Sequence, residues 1–286
     1  MPILMDYSQV IIASLFASIG NHTNVEISED LIRHMFLVSL RHNRMKFAQT
    51  YGELVICCDG KNSWRRELFP YYKASRRSDR EKSELNWSEL FGIINNIREE
   101  LSDHFPYKVI NVDQCEADDI IGVVCHENGT QLNNGSEKYL ILSGDKDYIQ
   151  LQKYANIDQY DPTRKKFIRH DNPDQYLVEH ILKGDRGDGV PNALSPDNCL
   201  AIGQRQKSMT AIKLSLFSKS RDNMDEETRG RFDRNKQLID LGETPENFRQ
   251  EIITAYNKEK NIGRSKLFNY FIQKQLKHLM TDIQDY

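Results

Sequence analysis

The stretch Ser143-Gly144-Asp145-Lys146-Asp147 decides how this chain of 286 residues is read. Before it, Lys138-Tyr139-Leu140-Ile141-Leu142 is a short apolar run, the pattern of a strand buried on both faces. After it, Tyr148-Ile149-Gln150-Leu151 can open a short helix. Two carboxylates therefore stand where a strand ends, the edge at which open α/β sheets hold their ligands. An Asp-x-Asp there also serves as an ordinary turn and helix cap, so the rest of the chain has to decide. Pro2-Ile3-Leu4-Met5 runs into Asp6, and Leu54-Val55-Ile56-Cys57-Cys58 runs into Asp59. Tyr107-Lys108-Val109-Ile110-Asn111-Val112 leads to Glu116-Ala117-Asp118-Asp119. If these strands are parallel neighbours, the acids converge on one rim. Away from bulk water such a cluster needs cations to stay ionised, because each charge raises the pKa of the others.

Outward from that rim, the composition is that of a water-soluble chain: 28% charged residues and a mean hydropathy of -0.66. The longest apolar stretch, around Val10 to Ile19, is broken by Ser14 and Ser18 and is too short to span a bilayer. No basic run precedes it, which argues against a secretory signal. Five cysteines without Cys-x-x-Cys spacing fit packed, reduced thiols and disfavour a zinc site. Net charge is -3, but the segment from Lys61 to Lys82 holds eight basic residues against three acidic ones. Trp64, Phe69, Tyr71 and Tyr72 interleave with them, as in segments that stack on bases or pack a flap. The segment lacks clear apolar periodicity, so it is expected to order on binding. A solvated loop of mixed charge is the plainer alternative. Facing an acidic rim, the segment suits a polyanion held over bound cations.

In chain order the pattern is α/β. A helix follows strand one from about Ser8 to Ile19, and a second starts after Ser28, an N-cap, with Leu31, Met35, Val38 and Met45 along its inner face. A helix over Trp87 to His104 leads to the strand at Tyr107. Glu116 to Asp119 occupy the first turn of the next helix, where they also complement its dipole. The segment from Asn128 to Glu137 reads as a loop. Asn156 to Tyr160 and Lys166 to Arg169 flank a hairpin turn, and from Asp174 onward the pattern is helical. The expected division is an α/β core over 1–173, including the basic arch 61–83, and a helical half over 174–286. In that half, Gly184-Asp185-Arg186-Gly187-Asp188-Gly189 follows a helix and can return two more acids to the rim. Its glycines permit close approach of backbone to phosphate. Lys207-Ser208-Met209-Thr210 opens another helix, whose N-terminus is a ready phosphate contact.

The sequence of Asp6, Asp59 with a basic arch, Glu116-Ala117-Asp118-Asp119, Asp145-x-Asp147 and Gly184-Asp185-x-x-Asp188 resembles the 5′→3′ exonuclease/flap endonuclease family over nearly the whole chain. Trp64-Arg65-Arg66, Tyr71-Tyr72-Lys73, Leu182-Lys183-Gly184-Asp185 and the Tyr270-Phe271 helix are most similar to its phage ribonuclease H members. The resemblance implies a mixed, mostly parallel sheet of the PIN-like 5′ nuclease type, with a helix-hairpin-helix-like duplex-binding region in the helical half. It implies two Mg2+ sites, with Mn2+ as a substitute: Asp6, Asp59, Glu116, Asp118 and Asp145 for the first, and Asp147, Asp185 and Asp188 for the second, with Asp119 in support. Cellular relatives carry a Gly-rich, potassium-binding turn where this chain has Ala201-Ile202-Gly203-Gln204-Arg205-Gln206-Lys207-Ser208, with one Gly.

Phosphodiester hydrolysis is the implied chemistry, assisted by two cations about 4 Å apart. Lys73 would stabilise the scissile phosphate, with Arg65 beside it. Arg66, Tyr72, Arg76, Arg77, Lys183, Lys207 and Ser208 would contact nucleic acid. The implied substrates are duplex DNA, RNA–DNA hybrid and 5′ flaps, and the implied role is removal of lagging-strand RNA primers in phage replication. A monomer in the cytoplasm of an infected bacterium would meet a phage single-stranded-DNA-binding protein and a sliding clamp as candidate partners. Two other classes compete: a binding protein of the same fold that does not cut, and a metal-dependent phosphatase. An intact acid set argues against the first, and the arch and helical half have no task in the second.

Overall fold

The computed structural model describes residues 1–19, 28–83, 85–130, 137–260 and 264–286, with the side chains of Ile19 and of residues 77–79 left aside. In order, the chain runs β1 (Pro2–Asp6), α1 (Tyr7–Ile19), α2 (Glu29–Tyr51), β2 (Glu53–Cys58), α3 (Arg65–Leu68), α4 (Ala74–Glu81), α5 (Trp87–His104) and β3 (Lys108–Asn111). It continues with α6 (Ala117–Asn128), β4 (Tyr139–Leu142), a 3-10 turn (Asp147–Lys153), β5 (Ile157–Asp161), β6 (Lys166–Ile168) and α7 (Pro173–Lys183). After an irregular segment come α8 (Ala211–Lys219), α9 (Glu226–Ile239), α10 (Glu246–Asn257), α11 (Ser265–Gln273) and α12 (Lys277–Met280). The loop expected over Asn128 to Glu137 lies partly outside the described residues.

The six strands form one sheet in the order β3-β2-β1-β4-β5-β6. β1 to β5 are parallel and β6 returns antiparallel. The mixed, mostly parallel sheet expected from the strand patterns is therefore present. The order reverses between β1 and β4, and such a switch point opens a crevice at the C-terminal strand ends. Asp6 closes β1 opposite Cys57, and Met5 pairs with Leu142, so Ser143 and the Asp-x-Asp stretch emerge beside Asp6.

Alternate strand residues feed two separate cores. Ile3, Met5, Leu54, Ile56, Leu140 and Leu142 pack with α1, α2 and α5 on one face. Leu4, Val55, Cys57, Ile110 and Ile141 pack with α6 on the other, where Ile252 of α10 joins them. The strands are buried on both sides, which is why they read as continuous apolar runs. A third cluster joins Phe69 and Tyr72 of the arch to Ile181 and Leu182 of α7 and to Phe232, Leu238 and Ile239 of α9. Residues beyond α10 turn back to the first core: Leu267, Tyr270, Phe271 and the final Tyr286 are all buried there. Burial of a large apolar side chain contributes roughly 1.5–3 kcal/mol, so this aromatic group fastens the end of the chain to the sheet.

Two expectations are corrected. Ser28 does cap α2, accepting from the Leu31 N–H at 3.2 Å, but the buried stripe is Ile32, Phe36, Leu37, Leu40 and Phe47. Val38 and Met45 are exposed. Arg33 lies on the buried face, tied to Glu100, Asp30 and Glu29, and this charge obscures the stripe. Three of the four arch aromatics, Trp64, Phe69 and Tyr72, are buried and cannot stack on bases; Tyr71 is partly exposed. Among the described residues no helix is long and apolar enough to cross a membrane.

Candidate active site

Four of the five parallel strands, β1 to β4, lead to acids at the same rim. Asp6 accepts from the Gln9 N–H at 3.1 Å, while its other oxygen accepts from Ser143 Oγ at 3.3 Å and Tyr148 Oη at 3.1 Å. Asp59, just past β2, accepts from the Ala117 N–H at 2.9 Å and so pins the start of α6. Glu116 caps α6 in a reciprocal capping box with Asp119, which leaves Asp118 pointing to the rim. The Asp118 carboxylate accepts from Tyr148 Oη, which thereby links it to Asp6. Beyond β4, Asp145 accepts from the Asp147 N–H at 3.0 Å. Asp185 accepts from the Asp188 N–H at 3.1 Å. A cleft lined by Asp118, Asp147, Asp185, Asp188, Tyr72 and Arg65 joins the strand-end acids to those after α7.

These carboxylates lack enough positive charge among themselves. Burial pushes Asp6 up to about 7, and Asp59 and then Asp145 add to the shift. Asp118 is raised by burial and then by Asp6 and Asp145. Asp147 is pushed up to about 7 by burial and then by Asp145, Asp185 and Asp188. A set of carboxylates raised in this way for want of counter-charge matches what a hard divalent cation accepts.

The basic arch supplies part of the missing charge. Lys73 Nζ lies 2.5 Å from Glu116 and 3.6 Å from Asp188, and Arg76 also pairs with Asp188. Tyr72 Oη lies 2.7 Å from Glu116 and 2.9 Å from Asp188, its one proton shared between the two carboxylates. Burial raises the Glu116 carboxyl, but Lys73 and Arg65 more than reverse it and hold it down to about 2. The arch backbone is seated as well: the Lys73 N–H donates to Asp188 O at 2.7 Å. Gly189 has φ +74°, and a Cβ there would meet Tyr71 O at 2.7 Å. Only glycine allows that approach.

Three sequence expectations change here. Arg65 is 2% exposed and Asp119 is 0% exposed. Arg65 pairs with Asp119 at 2.8 Å and donates Nε–H to Leu238 O at 2.8 Å. Asp119 also accepts from the Glu116 N–H at 2.8 Å and from Thr244 Oγ1 at 3.3 Å. With its oxygens fully engaged, Asp119 is a buried anchor rather than a ligand, and Arg65 cannot reach a phosphate. Tyr72 is likewise inside. Arg66, Lys183, Lys207 and Ser208 are exposed, with Lys183 paired to Glu179 at 2.7 Å. The Arg77 side chain lies outside the described residues.

Residues 3–179 match the family described as 5′-3′ exonuclease, N-terminal resolvase-like domain, and residues 172–286 match the T4 RNase H C-terminal domain. The chain belongs to the 5′→3′ exonuclease family. It is 30% identical over 296 residues to Ribonuclease H of Enterobacteria phage T4, covering 99% of this chain and 95% of that protein. To the flap endonuclease Xni of Shewanella pealeana it is 26% identical over 164 residues, 54% of this chain and 59% of that protein. Among solved structures, the phage T5 flap endonuclease in a pseudo-enzyme–product complex with DNA and metal ions has a TM-score of 0.59 at 14% identity, over 90% of this chain and 93% of that one. Phage T5 5′-exonuclease with bound zinc gives 0.57 at 15%, over 96% and 98%. These likenesses establish a shared fold. Membership of this nuclease family makes phosphodiester hydrolysis its reaction class.

Three contributors to the candidate site of this 5′→3′ exonuclease family member were not read from the sequence. Ser143 is fully buried and bridges Asp6 to the Asp145 backbone. Tyr148 is fully buried and holds two rim acids by one hydroxyl. A buried tyrosine hydroxyl seeks a polar partner, so its place after Asp147 is a usable signal. His180 stands between Asp147 and Asp185, at 3.5 Å from each. Its signal is weaker, because the register of α7 against the rim is set only by packing.

Proposed function

We propose that this chain is a divalent-metal-dependent 5′ nuclease that cleaves 5′ flaps and removes RNA primers, with the adjoining DNA, from lagging-strand fragments during phage replication. The observation that carries this reading is the rim itself: four parallel strand ends deliver carboxylates to one place, where burial and neighbouring carboxylates raise Asp6 and Asp118. Asp6, Asp59, Asp118 and Asp145 would hold one Mg2+, and Asp147, Asp185 and Asp188 a second, with Glu116 at their border. When bound, the cations supply a water activated for attack and positive charge on the phosphate. Tyr148 orients Asp6 and Asp118 through one hydroxyl within hydrogen-bond reach of both. The Arg65–Asp119 pair fixes the N-terminus of α6 and so the direction of Asp118. Lys73 sits among the carboxylates, where its ammonium can meet a phosphate that displaces its contacts to Glu116 and Asp188.

Residues 1–173 would form the nuclease core, and 174–286 would carry the grip on duplex backbone through Lys207 and Ser208. Duplex DNA, RNA–DNA hybrid and flap substrates, a monomeric state in the host cytoplasm, and contact with a phage single-stranded-DNA-binding protein and clamp complete the reading. Cleavage of 5′-labelled flap and RNA-primed duplexes, with and without Mg2+, tests it. The expected result is Mg2+-dependent release of short 5′ products from both. Binding without cleavage at saturating Mg2+ or Mn2+ would overturn it in favour of a non-cutting member of the fold.

A further inference from the structure

The acids after β4 and α7 differ from the inner group in one respect. Asp6, Asp59, Asp118 and Asp145 offer only oxygen, whereas the outer group encloses an imidazole. His180 sits in the last turn of α7, with Nδ1 3.5 Å from Asp147 Oδ1 and Nε2 3.5 Å from Asp185 Oδ2. Its side chain is 16% exposed. One ligand atom from each of Asp147, His180 and Asp185 falls within a sphere of contacts no longer than 4.8 Å. Octahedral ligands at about 2.1 Å from an ion stand roughly 3 Å apart when adjacent and about 4.2 Å apart when opposite. These atoms lie within 4.8 Å of one another, close to that span, and the two 3.5 Å contacts use opposite ring nitrogens, so a small adjustment of the ring and the carboxylates brings one nitrogen and two oxygens around one ion.

The local fold keeps the ring there. Tyr176, one turn earlier on α7, lies against it with ring centroids 5.9 Å apart. Gly184 ends the helix at φ +67°, and a Cβ there would meet Val190 O at 2.4 Å. This sharp exit turns Asp185 back towards the ring that precedes it by five residues. Imidazole suits first-row transition cations, whereas Mg2+ selects oxygen.

We propose that the outer site of this protein is a mixed nitrogen–oxygen site in which His180 joins Asp147 and Asp185 as a direct ligand, so that it prefers a transition cation such as Mn2+ to Mg2+ while the all-oxygen inner site does not. The inference rests on the two-cation reading above and deepens it by assigning different metal preferences to the two sites. Calorimetric titration of the metal-free full-length chain with Mn2+ and with Mg2+, combined with pulsed EPR of the Mn2+-loaded protein, tests it. Two Mn2+ should bind, with nitrogen-14 modulation from a coordinated imidazole, and the outer event should be weaker for Mg2+. His180→Gln should abolish the nitrogen signal and weaken only the outer Mn2+ event, by at least about tenfold. His180→Asp should replace the nitrogen by an oxygen ligand and raise the ratio of outer-site Mg2+ to Mn2+ affinity above that of the wild type, whereas at a histidine serving only as a spacer the added charge would strengthen both cations alike and leave the ratio unchanged. Two Mn2+ bound without nitrogen modulation would overturn the inference and leave the two-cation reading standing. Absence of cation binding altogether would remove both.

Discussion

Asp145 and Asp119 carry the same side chain and face different fates. Asp145 is half-buried past β4 amid like charges, and Asp119 is buried against a guanidinium. Neutralising Asp145 should relieve repulsion in the metal-free protein while removing a ligand. Asp145→Asn is expected to abolish cleavage, leave flap-duplex binding intact or tighter, and keep metal-free thermal stability at or above wild type. Mg2+ should raise the melting temperature of the wild type, by binding the folded state, more than that of the variant. Near-normal cleavage with a lowered metal-free melting temperature would show Asp145 to be a turn residue. Arg65→Met makes the opposite case, because it strands a buried carboxylate. Breaking such a pair destabilises by about 3–5 kcal/mol, and chemical denaturation should record a loss of that size. The strand-end acids were legible because a strand and the residue after it are local facts. The Arg65–Asp119 pair was not, because it joins residues 54 apart through the packing of the arch on α6.

At the scale of elements, the strands and most helices were legible because period and caps agree: Trp87–His104 is a helix with those bounds, and Ser28 is an N-cap. The inner face of α2 was misread because Arg33, with its carboxylate partners, occupies the buried side. The arch was misread in part because its aromatics alternate too irregularly to reveal that Trp64, Phe69 and Tyr72 point inward. In the helical half, the Lys207 backbone is clamped, its N–H donating to Ser195 Oγ at 2.8 Å and its carbonyl accepting from Asn192 at 2.8 Å. The exposed side chain is thus presented from a fixed point just before Thr210, which caps α8. If it meets a phosphate, Lys207→Ala should lower the slope of log affinity against log salt by about one unit on duplex DNA. Fluorescence anisotropy across a salt series measures this, and an unchanged slope would make Lys207 a solvated surface residue.

The whole molecule combines these charges into a pH response. The carboxyls of Asp6 and Asp147 each titrate at about 7 in the folded protein, against an ordinary value of 3.8. Between those values the folded state binds more protons than the unfolded state, so stability falls as pH rises through about 7 and recovers on acidification. His180, raised despite its burial by Asp185 and Asp147, acts in the same direction. His126 opposes it at lower pH: burial and then Lys153 hold it down to about 4, so stability is lost as pH falls from its ordinary 6.5 towards that value. The clean window therefore lies between about pH 8 and about pH 6.5. Metal-free protein should melt at a higher temperature at the lower pH within that window. Saturating Mg2+ should remove or reverse the trend, because cation binding requires the ionised carboxylates and weakens as they take up protons. Asp6→Asn should flatten part of the metal-free slope by deleting one of the titrating groups. Scanning calorimetry of wild type and variant, in chelator and in Mg2+, measures all three. A metal-free melting temperature that is flat or falls from pH 8 to 6.5 would mean that the rim acids are ionised and already compensated by the arch, and that Lys73 and Arg76 alone neutralise the cluster.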